Sequence, residues 1–99
     1  MICDFCSAPE PEWVCPCATY AVPDLPGVVS ESHWAACAAC AELVCRRDWA
    51  ALSRRGLATQ AGKMLREIVG EEAARAEILR LHEGYRQHAA GEPRKADAP

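Results

Sequence analysis

The pattern of apolar and polar positions changes character along the chain, and its first third is typical of β-structure. The segment Glu12–Val22 is rich in Trp, Val, Thr and Tyr, which favours a strand, and Pro16 would confine that strand to the edge of a sheet. Residues 23–27 predict a turn because they contain two prolines and a glycine. Val28 and Val29 would then pair back as a short second strand, which completes a hairpin.

Helical patterns follow the predicted hairpin. Ser30 or Ser32 offers an N-cap side chain for an Ala-rich helix that would run from Trp34 to about Cys45. Asp48 predicts a second N-cap, for a short helix that would end at Gly56 in a left-handed C-terminal conformation.

A longer helical region begins near Thr59 and reaches about His88. Its apolar stripe changes register at Gly70, which predicts a kink or a break at that position. The stripe comprises Met64, Leu65, Ile68, Val69, Ile78, Leu79, Leu81 and Tyr85. The tail at 91–99 contains Pro, Lys, Asp and Ala and is expected to be disordered.

Seven cysteines are the main chemical feature of this 99-residue chain. One Phe and three Trp offer few large side chains for a core, and a chain of this size then needs a staple, either a disulfide or a metal ion. The N-terminal segment lacks the basic and apolar regions of a secretory signal, so we expect a cytoplasmic protein with reduced thiols. An odd number of cysteines also fits a disulfide framework poorly, and metal binding is favoured.

Two CxxC motifs, separated by thirty residues, supply a complete set of metal ligands. A two-residue spacer lets both sulfur atoms of a pair reach one tetrahedral ion at about 2.3 Å. The predicted ligands of a structural Zn²⁺ ion are Cys3, Cys6, Cys37 and Cys40. Because four thiolates leave no open position for a substrate, we expect no enzyme activity; the alternative for the cysteines themselves is burial without a metal.

Three further thiols leave a second site open as an alternative. Cys15 and Cys17, together with His33 and Cys45, would make another set of four ligands. Helix geometry places Cys45 well around from the first site, since it follows Cys40 by five residues. Small buried core thiols are the other interpretation.

The predicted order of knuckle, hairpin and ligand-bearing helix resembles the treble-clef group of zinc fingers over residues 1 to about 46. The resemblance implies a zinc-stabilised scaffold. Together with the helical patterns described above, the sequence predicts a small α+β domain stapled by zinc and followed by α-helices, with a helical extension at 47–90. It implies no particular activity, because treble clefs serve in nucleic-acid, protein and lipid binding alike. The CDFCSAP opening and the WAACAAC segment are also similar to short proteins of high-GC Gram-positive bacteria.

Charge is divided unevenly between the two halves. Residues 1–45 contain six acids and no Lys or Arg, whereas residues 46–99 contain eleven basic and eight acidic side chains, a net charge of +3. An acidic metal-binding half argues against nucleic-acid binding through that half, since duplex affinity depends on neutralising phosphates. The longest apolar run has eight residues, too few to span a bilayer.

These observations predict a zinc-binding, non-catalytic adaptor or regulatory module that binds a protein partner, or a second copy of itself, through its C-terminal helices. The alternative is a nucleic-acid-binding transcriptional accessory that uses four arginines beside Trp49: Arg46, Arg47, Arg54 and Arg55.

Overall fold

The computed structural model describes residues 1–22, 26–30 and 33–96 of the chain. Within these ranges it contains five short strands: β1 Trp13–Pro16, β2 Tyr20–Ala21, β3 Val29–Ser30, β4 His33–Ala36 and β5 Arg94–Lys95. It also contains four helices: α1 Ala38–Cys45, α2 Trp49–Leu57, α3 Gln60–Val69 and α4 Glu71–His88. The chain is therefore a small α+β domain.

The strands form two antiparallel sheets, of order β4-β1-β5 and β2-β3. The single strand predicted over Glu12–Val22 is divided into β1 and β2, and the predicted return strand near Val29 forms and pairs with β2. The prediction that Pro16 keeps its strand at an edge is wrong, because β1 lies in the centre of its sheet. Pro16 is accommodated as the last residue of β1, where its carbonyl accepts a hydrogen bond of 2.9 Å from the Ala90 N–H.

The Ala-rich helix begins later than the sequence pattern predicts. Residues 33–36 pair with β1 as strand β4, and α1 starts at Ala38 with Cys37 as its N-cap residue. A second contact holds β4 from the other side, where Asp4 exchanges hydrogen bonds of 2.7 and 2.8 Å with the Ala35 backbone. Tertiary pairing thus overrides the helical preference of alanine. Of the two predicted caps, Ser30 belongs to β3 and Ser32 lies outside the described residues.

For α2, the predicted N-cap residue is confirmed, whereas the predicted C-terminal end is wrong. The Asp48 carboxylate accepts a hydrogen bond of 3.1 Å from the Ala51 N–H. Helix α2 continues through Gly56 to Leu57, with Gly56 in ordinary helical conformation. A Cβ at Gly56 would stand 3.1 Å from the carbonyl oxygen of Phe5, so glycine is needed there for close packing.

The helical region beyond Thr59 is divided as the pattern indicates. The Thr59 hydroxyl accepts a hydrogen bond from the Gly62 N–H and caps α3. Gly70, with φ of 91°, breaks the chain between α3 and α4, and α4 ends at His88. A glycine suits this break because positive φ is disfavoured for residues with a Cβ.

The tail differs from the disordered segment predicted for residues 91–99. Arg94 and Lys95 form β5 opposite Val14 and Trp13, and the Ala96 N–H donates a hydrogen bond of 2.8 Å to the Glu12 carbonyl. Polar composition did not reveal this, because the strand is held by backbone hydrogen bonds to β1. Residues 97–99 lie outside the described ranges.

The core forms where the first cysteine loop, β1, β4 and α4 meet. The Phe5 ring lies 5.0 Å from Trp34, 5.1 Å from Tyr85 and 5.6 Å from His82 between ring centroids. Tyr85 is fully buried, so one member of the predicted apolar stripe belongs to this core. None of the helices in the described ranges is both long and apolar enough to cross a membrane.

The Tyr85 hydroxyl provides a test of this core. It is buried and makes no hydrogen bond within the part of the chain that the structure describes. An unsatisfied buried hydroxyl costs about 1–3 kcal/mol, so Tyr85→Phe should raise the free energy of unfolding by about 1 kcal/mol.

Urea denaturation measures this change, and Tyr20→Phe, at a half-buried site, serves as the matched control. The control should shift stability by less than about 0.5 kcal/mol. A loss of stability in Tyr85→Phe would contradict the assignment and would point to a hydrogen bond with the nearby Cys15 thiol.

Candidate metal centre

The structure brings the four predicted cysteines of the two CxxC motifs into one cluster that could hold a metal ion. The sulfur atoms of Cys3, Cys6, Cys37 and Cys40 all lie within 4.8 Å of one another. The sulfur atoms of Cys6 and Cys37 are 3.7 Å apart. A tetrahedron with metal–sulfur bonds of about 2.3 Å has edges of about 3.8 Å, so the spacing fits a single tetrahedral ion.

The first pair lies on a tight loop, which we call the knuckle (residues 3–8). The Ser7 N–H donates to the Cys3 carbonyl and the Cys3 N–H donates to the Ala8 carbonyl, each at 2.8 Å. Ser7 adopts a positive φ of 66°, which reverses the chain directly after Cys6. These bonds hold the two buried thiols of the pair on a short and closed segment.

The second pair lies at the start of α1. Cys37 is the N-cap residue and Cys40 stands in the first turn, fully buried. The N-terminal end of a helix carries a partial positive charge, which favours thiolates there. Asp4 connects the two pairs, because its hydrogen bonds to Ala35 fix the knuckle against β4 two residues before Cys37.

The arrangement of the thiols favours a thiolate at Cys3 beside a protonated thiol at Cys40. A hydrogen bond from the Cys40 thiol lowers the pKa of Cys3 to about 4, helped by backbone N–H groups at Cys37, Phe5 and Cys6 and opposed by burial. The same hydrogen bond and burial raise the pKa of Cys40. Burial also raises the pKa of Cys6. Without a cation Cys6 and Cys40 therefore keep their protons, and full ionisation of the cluster needs a positive ion between the sulfur atoms.

Arg55 supplies a positive charge from outside the cluster. Its Nη2 atom lies 3.6 Å from the sulfur of Cys37, which is the least buried of the four cysteines. Burial raises the pKa of Cys37, but the Cys40 backbone N–H and the Arg55 guanidinium outweigh it and lower the pKa overall. Sequence analysis grouped Arg55 with three other arginines and missed this contact, because nothing local in the sequence indicates it.

The second proposed set of ligands does not come together. Within the described ranges, the cluster above is the one group of three or more side chains with the spacing of metal ligands. Cys15 and Cys17 are buried in the core, whereas His33 and Cys45 are exposed. Burial raises the pKa of Cys15 to about 12, so it stays a protonated thiol at neutral pH. The core-thiol interpretation holds for Cys15 and Cys17 and fails for Cys45.

Comparison with known proteins adds no relative from which a role could be transferred. No protein-family model, no curated protein and no solved structure matches the chain. The case for a metal ion at the four cysteines rests on their spacing, their burial and the chemistry of their sulfur atoms.

Proposed function

We propose that the chain is a zinc-stapled, non-catalytic interaction module that binds a protein partner, or a second copy of itself, through its C-terminal helices. The observation that carries this proposal is the exposure of large apolar side chains on α3. Met64, Ile68 and Val69 are 52%, 76% and 47% exposed. The apolar face defined by these three residues is called the α3 face below.

Zinc is the ion that best suits the cluster. Four sulfur donors with tetrahedral spacing are typical of structural zinc sites, and soft thiolate ligands disfavour magnesium and calcium. The order of knuckle, β1–β4 pair and α1 supports a treble-clef arrangement, in which the helix supplies the last two ligands. Because the protein would fill all four positions on the ion, a structural role is favoured over catalysis, and a reducing cytoplasm would keep the thiols free.

The α3 face is suited to a partner because it is apolar and continuous along the helix. Met64 and Ile68 are one helical turn apart, and Leu65 beside them is half-buried. Contiguous apolar surface on a small protein tends to mark a site of association. An amphipathic helix of this kind can pack into a groove or against the same helix of another copy.

The other exposed residues of the predicted stripe do not extend this face. Leu79 lies beside Leu57 of α2, while Leu81 lies near Val28 of the β2–β3 hairpin. The stripe read from the sequence is thus divided among the core, the α3 face and two separate surfaces of α4.

The nucleic-acid alternative has weaker support. Arg46 pairs with Glu42 at 3.6 Å, Arg47 pairs with Glu92 at 3.7 Å, and Arg55 contacts Cys37. These contacts reduce the positive charge that the four arginines offer to phosphates, and the whole chain has a net charge of −3.

Metal content provides the first test of the proposal. Purified protein should contain about one zinc ion per chain, and the cobalt-substituted form should show the absorption of tetrahedral sulfur coordination. Cys37→Ser should lose the metal and unfold the knuckle and α1, because metal binding and folding are coupled.

Cys45→Ser is the matched control, since Cys45 is exposed and lies outside the cluster. It should keep both metal and fold. Two zinc ions per chain, or equal damage from the two substitutions, would show that the ligands are assigned incorrectly.

The α3 face provides the second test. The double variant Met64→Lys with Ile68→Lys should weaken self-association or partner binding at least about tenfold, because two charges replace the apolar contact. Sedimentation velocity over a range of concentrations measures self-association, and affinity capture from cells that express the chain measures partner binding. Zinc content should not change.

Glu67→Lys is the control because it changes the net charge of the same helix by the same amount at an exposed polar position. It should leave association unchanged. Association that survives the double variant would exclude the α3 face, and unfolding of the double variant would show that these residues belong to the core.

A further inference from the structure

A cavity of about 540 Å³ lies away from the metal cluster, between the α1–α2 junction and the end of α4. Its volume falls within the range of sites that take small organic molecules. Its walls include Arg47, Trp49, Tyr85, Arg86 and Glu92. None of the four clustered cysteines lines it, so the cavity is a separate feature of the molecule.

The cavity combines positive charge with aromatic surface. It is lined by two guanidinium groups and one carboxylate, so the charge on its walls is positive. The guanidinium carbon of Arg86 lies 6.0 Å from the centroid of the Trp49 ring. Guanidinium groups bind carboxylates and phosphates through paired hydrogen bonds, and the flat face of a Trp ring stacks on other flat rings.

The backbone of Arg47 adopts a conformation that is unfavourable for a residue with a Cβ. Its φ is 58°, directly after the C-cap residue of α1, at a helix position where glycine or asparagine is usual. Its side chain is 75% exposed, and its only ion pair within the described ranges is the 3.7 Å contact with Glu92. The fold therefore gains little from an arginine here, and its exposed guanidinium can exchange Glu92 for another oxyanion.

We propose that this cavity binds a small molecule that carries an oxyanion on a flat ring. Arg47 and Arg86 hold the oxyanion, and the ring lies against Trp49. In the free protein Arg47 pairs with Glu92 at 3.7 Å and Arg86 pairs with Glu83 at 3.3 Å, and the bound oxyanion takes the place of both carboxylates. A phosphate and a carboxylate share this chemistry, and the binding experiment separates them. The cavity does not depend on the α3 face, so a negative result for one does not affect the other.

The test uses the whole 99-residue chain, with zinc in the buffer, and follows the indole N–H signal of Trp49 by NMR. The phosphate arm compares adenosine monophosphate with adenosine, and the carboxylate arm compares indole-3-acetate with indole. In at least one arm the charged probe should bind at least about tenfold more tightly than its neutral partner. The proposal is overturned if neither charged probe moves the signal at about 10 mM, or if the neutral probes bind equally well.

Four variants assign the binding to the named groups. Arg47→Gly should weaken the charged probe about tenfold while the thermal midpoint stays the same or rises, because glycine suits the positive φ. Arg86→Gln should weaken binding to a similar extent. Glu92→Gln should tighten it, since the competing carboxylate is removed. Arg46→Gln is the control, because Arg46 pairs with Glu42 and does not line the cavity.

If Arg46→Gln and Arg47→Gly weaken binding equally, net charge alone explains the effect, and the proposed site is wrong. Unchanged binding in both Arg47→Gly and Arg86→Gln would overturn it as well.

Discussion

Four sulfur atoms held within 4.8 Å of one another are the constraint on which the rest of the structure depends. Four thiolates at this spacing repel one another strongly in a buried site, and a divalent cation reduces their combined charge to about −2. The helix N-terminus at Cys37 and the guanidinium of Arg55 lie where they offset part of the remainder. A bound cation would thereby fix two segments that are distant in the sequence against each other.

Phe5 connects the cysteine cluster to the helices. It stands between two of the clustered cysteines, and its ring packs against Trp34 of β4 and Tyr85 of α4. Its carbonyl accepts a hydrogen bond of 3.3 Å from Nε2 of His82, and the same carbonyl would stand 3.1 Å from a Cβ at Gly56, a tight contact. The segments predicted as a metal module and a helical extension share this core, which includes residues of α1, α2 and α4.

Features that a local signal or a metal-ligand motif marks could be predicted from the sequence, whereas contacts between distant segments without such a motif could not. The CxxC spacing was enough to name the four cysteines that form the cluster, and Asp48, Thr59 and Gly70 marked helix boundaries through local capping and backbone conformation. The strand at His33–Ala36 was hidden because its alanines favour a helix until β1 and Asp4 pair with them. Gly56 and Arg55 have their roles through contacts with Phe5 and Cys37, which no local pattern reveals.

The position of β1 between β4 and β5 has a consequence for the order of events during synthesis. All four sulfur ligands have been made by residue 40, whereas the residues that pair with the other side of β1 are Arg94 and Lys95, made about fifty residues later. During that interval the nascent chain already contains the whole cysteine cluster, while one side of Trp13 and Val14 still offers unpaired backbone groups, the feature that makes strand edges prone to pairing with other chains. Pairing of β5 therefore covers this side of β1 and removes one route to misassembly.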